Sequence, residues 1–171
     1  MSDILLLRVL GVAAIIGGGL RIVSAFIPWA PDQAWLEILY LVVDICLLFG
    51  FMGVYLAHRD RVGILGFVAF AIAETGIASI VGPDGVVPAY GIDTYQLGVL
   101  VITVGLTLFA VVQLVARAGP PWAALCWVAS MLVGVGGSVG GSPEIGFLIG
   151  GILFGLGFVL AGAALMRPAA R

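Results

Sequence analysis

Lysine is missing from this chain of 171 residues, histidine occurs once, and charged side chains of every kind make up only 9%. Without lysine no Schiff base can form, which excludes a retinal-binding opsin and a pyridoxal enzyme. One histidine, His58, placed beside Arg59 at a helix end, excludes intramembrane bis-histidine haem ligation and histidine-based metal sites, so no cofactor and no metal is expected. The formal net charge is −2 and the charges are scattered. Neither a nucleic-acid footprint nor a polybasic tail is visible, and no nucleic-acid partner is expected. Cysteine is scarce too: Cys46 and Cys126 both fall inside apolar runs and read as small packing residues, not as a disulfide. The chain has no H-E-x-x-H, no G-x-S-x-G with an intramembrane histidine and no phosphate-cradling G-x-x-x-x-G-K-[ST], so it is not expected to be an enzyme.

What is present is apolar. At 63% hydrophobic and a mean hydropathy of +1.27, the chain has too little polar surface to cover an exterior facing water, so its solvent is lipid. Runs long enough to cross ~30 Å of hydrocarbon at 1.5 Å per residue recur at 4–27, 35–57, 63–82, 94–116, 122–139 and 144–166. The expected fold is one all-α, polytopic bundle of six transmembrane helices. The first run reads as a span and not as a cleaved signal, despite Val23-Ser24-Ala25, because Asp3 stands at its start and Arg21 near its end.

Between the runs lie breakers. Pro28-Trp29-Ala30-Pro31-Asp32-Gln33 reads as an interfacial turn, His58 to Val62 as a short break, and Pro83 to Asp93, with its prolines, glycines and acids, as the longest exposed loop. With an N-in, C-in topology, Arg8, Arg59, Arg61, Arg117, Arg167 and Arg171 all lie at or near inner faces and only Arg21 towards the outside, in keeping with the positive-inside rule. The arginine-only, alanine- and glycine-rich usage points to a bacterial inner membrane.

Ionisable residues inside the runs are the candidate site. Asp44 and Glu74 fall roughly 20 Å and 17 Å from the inner ends of the second and third spans, and Arg21 roughly 26 Å along the first. With Glu37 above, they form a candidate buried cluster. One reading pairs Arg21 with Asp44 or Glu37 to fix helix register, with Glu74 protonated or bonded to a backbone carbonyl. The other keeps one carboxyl spare to take up a proton or hold a cation. Gln96, Thr103 and Thr107 share a face of the fourth span and are a candidate polar lining, although threonines in membrane helices more often bond to their own backbone. Ser130, Gly134 and Ser138 form a similar stripe on the fifth. In the sixth, Gly146, Gly150, Gly151 and Gly155 give two glycine pairs at four-residue spacing, a signal for close helix packing within the chain or between copies.

Leu47 to Tyr55 followed by His58 to Phe67 resembles a helical hairpin of many bacterial multi-pass membrane proteins, and the resemblance implies no activity. Two functions are therefore expected as alternatives. One is a small proton- or cation-linked transporter or channel that moves a small ion or solute. The other is a non-catalytic accessory or scaffold subunit, packing through its glycines as a homo-oligomer or in a larger membrane complex.

Overall fold

A computed structural model describes residues 3–27, 30, 33–81 and 94–167. Its elements are α1 (Asp3–Ser24), α2 (Ala34–Ile80), α3 (Thr94–Val115), α4 (Pro121–Val139) and α5 (Pro143–Met166). Among the described residues the protein is all α-helical, and all five helices are long and apolar enough to cross a membrane. Helix boundaries follow local chemistry. Pro121 and Pro143 open α4 and α5, where a missing N–H costs nothing, and Gly119 and Gly141, both at positive φ, lie in the turns that precede them. Pro28, Trp29, Pro31 and Asp32 of the expected interfacial turn, and the expected exposed loop Pro83 to Asp93, lie outside the described residues.

The second and third expected spans are one element, not two. α2 has 47 residues, and the expected break at His58 to Val62 is helical throughout. The departure comes one residue later, at Gly63, with φ 58° and ψ −156°. The reason is that nothing in His-Arg-Asp-Arg-Val forbids a helix; charge makes the stretch polar without removing a hydrogen-bond donor. Gly63 can adopt a positive φ at no steric cost, and the chain turns there. A straight helix of this length would reach about 70 Å, more than twice the ~30 Å of hydrocarbon. Instead the two arms of α2, 34–62 and 64–80, fold back on each other. Tyr55 meets Phe67 with ring centres 6.1 Å apart, and Phe51 meets Phe70 at 5.4 Å. Those contacts run in reversed order, so the arms are antiparallel.

α1 packs on the first arm of α2 and on α5, α3 on the second arm, and α4 on α5 and α3. Close approach needs small residues. A methyl group added at Gly155 of α5 would lie 2.5 Å from the Gly18 carbonyl oxygen of α1, and one at Gly50 of α2 would lie 2.6 Å from the Ala14 Cα. Where the helices converge, Phe51 is fully buried, with Phe109 at 4.9 Å, Trp127 at 6.2 Å and Phe158 at 6.2 Å, all edge-on. Each such pair contributes ~0.5–1.5 kcal/mol beyond area burial. Four elements thus lock around one ring.

Candidate functional site

Both acids of the second and third expected spans lie on the faces where the arms of α2 meet. Asp44 stands two helical turns from Phe51, at i−7, so it shares that ring's face; Glu74 stands one turn from Phe70, at i+4, and shares its face. Because Phe51 and Phe70 are in contact, they give a common level. From it Asp44 is about 10 Å and Glu74 about 6 Å further from Gly63, which separates them by only about 4 to 5 Å along the bundle axis. Below them, towards Gly63, lies an aromatic layer of Phe51, Phe70 and Tyr55, with Tyr55 stacked on Phe70 at 4.3 Å and 14°.

Glu74 is half-buried, and both of its carboxyl oxygens are buried with no hydrogen-bond partner among the described residues. Phe70 and Ile77 flank it on its own face, and neither brings a donor. An ionised carboxylate so placed costs several kcal/mol, and that cost vanishes each time a proton or cation arrives. Asp44 is also half-buried.

Arg21 is placed at the seam between α1 and α5. Its Nη1 donates to Ser24 Oγ at 3.3 Å, Ser24 Oγ in turn donates to the Arg21 carbonyl at 2.9 Å, and Nη2 lies 3.6 Å from where a Gly151 Cβ would be. The glycine leaves room for the guanidinium. Glu37, expected in the buried cluster, is exposed in the first turn of α2. An acid there suits the positive end of the helix dipole and stays in contact with polar surroundings.

The candidate lining of α3 divides. Thr103 is half-buried and its hydroxyl donates to Val99 O at 2.7 Å, satisfying itself within its own helix; Thr107 is half-buried and Gln96 exposed. On α4, Ser130 donates across to Gly150 O at 2.8 Å and ties the helix to α5, whereas Ser138 returns to Gly134 O at 3.0 Å. The α5 glycines face two neighbours. A Cβ at Gly146 would lie 2.8 Å from the Gly137 Cα and one at Gly150 3.2 Å from Ser130 O, both on α4; Gly151 and Gly155 face α1. Cys46 and Cys126 are free thiols.

Two buried polar groups escaped the sequence reading. Gln113 is 2% exposed, with neither end of its amide hydrogen-bonded among the described residues, and the Trp127 indole N–H is likewise unpartnered there. Gln113 continues the buried stripe Ile102, Leu106, Phe109 at helical spacing, and that register was the signal that could have found it. Near it stands His58, whose Nδ1 is 2.8 Å from Val54 O. In the charged stretch 58–61 at the Gly63 end of the first arm, the ring has its pKa lowered, chiefly by burial and also by Arg61, against the opposing effect of the Val54 hydrogen bond. No protein-family model, curated protein or solved structure matches this chain.

Proposed function

We propose that the chain is a multi-pass protein of a bacterial inner membrane that moves a proton or small cation, with Glu74 as the exchanging group and Asp44 near its level on the facing arm of α2. In this reading the arms of α2 are separate spans, giving six crossings with both termini inside. The observation that carries it is the pair of Glu74 oxygens, buried without a donor. A purely structural acid would be expected to have acquired a partner, because an unsatisfied buried group costs ~1–3 kcal/mol or more when charged. Arg21, held at the α1–α5 seam, supplies a fixed positive charge that tunes the site.

In reconstituted vesicles the wild type should show pH-dependent flux that Glu74→Gln abolishes while the protein remains folded. Unchanged flux in Glu74→Gln, or none from the wild type across a broad panel of ions and solutes, would sink the proposal. Topology is tested separately in a variant with both native cysteines replaced. Labelling of Asp84→Cys but not Asp60→Cys from outside intact cells is expected, and the reverse would overturn the orientation. An accessory role has one observation in its favour: a methyl group added at Gly136 would meet nothing within 4 Å, so the α4 backbone is open to another helix there. Purification with a fixed stoichiometric partner and no flux would support that role instead.

A further inference from the structure

At the Gly63 end of the bundle the charged stretch of α2, the turn between α3 and α4 and the end of α5 enclose a recess of about 410 Å³, lined by Leu7, His58, Gly119, Leu165 and Arg167 among others. We propose that this recess is a binding site for a phosphate monoester, either the free anion or the headgroup of a lipid. It is separate from the acid pair and does not rest on the transport reading.

The argument starts at His58. The Val54 carbonyl oxygen can only accept, so Nδ1 carries the ring proton and the neutral ring offers a lone pair at Nε2. That Nε2 lies 2.8 Å from the point where a Gly119 Cβ would be, and the Gln113 Nε2 lies 3.1 Å from the same point. Gly119 has φ 84°, a conformation L side chains rarely adopt, so the position stays without a side chain. Gln113 packs behind Gly119, closed off from the recess at 2% exposed. Arg167 adds a permanent cation, and no acid is among the residues lining the recess. Leu7, Ala164 and Leu165 supply the apolar part of the lining.

The occupant must therefore give one proton to a histidine lone pair, accept from a guanidinium, and carry negative charge. A phosphate monoester does all three, since its second ionisation falls near pH 6 and a P–OH persists close to neutrality. Its remaining oxygens take charge-assisted hydrogen bonds from arginine. Sulfate and phosphodiesters are anionic but have no such proton.

The test is thermal unfolding of the purified full chain near pH 6.5, with four probes: inorganic phosphate and inorganic sulfate in detergent, and nanodiscs containing phosphatidic acid or phosphatidylglycerol. A raised midpoint with phosphatidic acid but not phosphatidylglycerol identifies a lipid as the source; a rise with phosphate but not sulfate identifies the free anion. Arg167→Gln and His58→Phe should each weaken that binding about tenfold, the factor for one lost hydrogen bond of ordinary strength. Arg167 is exposed at the end of α5, so Arg167→Gln should leave the midpoint without ligand unchanged, which separates lost binding from lost folding. The proposal is overturned if no probe stabilises the wild type, if sulfate or phosphatidylglycerol does so equally, or if either variant binds as the wild type does.

Discussion

Replacing Glu74 by leucine should make the protein more stable and idle. The side chains are similar in volume, so the substitution leaves the packing beside Phe70 and Ile77 nearly unchanged while deleting two buried oxygens that have no partner. Each unsatisfied buried group costs about 1–3 kcal/mol, and the unfolded reference in a membrane also finds some partners, so a net gain of about 1–3 kcal/mol for the whole carboxyl is expected. Glu74→Gln, which keeps two unpaired polar atoms in the same place, should sit within about 0.5 kcal/mol of the wild type. The measurement is reversible unfolding in mixed micelles followed by far-ultraviolet circular dichroism, with flux measured on the same preparations. Stability and activity then move in opposite directions, as they do where a strained site is kept for its work. If Glu74→Leu instead lowers stability by 1 kcal/mol or more, the carboxyl makes a structural bond, and the reasoning that assigns it a mobile proton or cation fails.

The α1–α5 seam allows a paired comparison: Gly155→Val should destabilise by about 1–3 kcal/mol, because the new side chain meets the Gly18 backbone, whereas Gly19→Ala, with nothing within 4 Å, should be neutral or slightly stabilising in the same unfolding assay. Phe51→Ala removes the ring shared by four elements and should cost about 3–5 kcal/mol, read from the same transitions. For His58 the folded pKa is lowered, so the folded state resists protonation more than the unfolded chain does. Stability is therefore full above about pH 6.5, the unfolded value, and falls as pH drops towards the folded value. In phosphate-free buffer, the difference in midpoint between wild type and His58→Gln should shrink on going from pH 7.5 to 5.5; a constant difference would refute this.

The spans were legible because lipid imposes a length on them. Runs of about 20 apolar residues announce themselves, and the ends of α3, α4 and α5 lie within a residue of where the breakers placed them. The turn in α2 was misplaced by a short distance for a definite reason. His58 to Val62 looks like a loop by charge, whereas the backbone turns at Gly63, one glycine among 26, and composition does not say which of them takes a positive φ. Asp44 and Glu74 stood out because ionisable groups are rare in such runs. Gln113 did not, since a neutral amide in an apolar stripe carries no charge to notice and its burial depends on which face α3 turns inward. The glycine spacing of α5 was visible, but its counterparts, Gly18 on α1, distant in sequence, and Gly137 on α4, across a short turn, emerge only from the helix contacts.

Trp127 gives the protein an internal lamp. It is 1% exposed, set edge-on against Phe51 and Phe158, and its indole N–H has no partner, whereas Trp35 and Trp122 are largely exposed. An excited indole in such surroundings has no solvent dipole to relax against, so its emission lies to the blue; a water molecule reaching the N–H would shift it to the red. With Trp29, Trp35 and Trp122 changed to phenylalanine, a single fluorophore remains beside the ring that joins four elements. Its colour then reports, in real time and without a label, whether the centre of the bundle ever becomes wet.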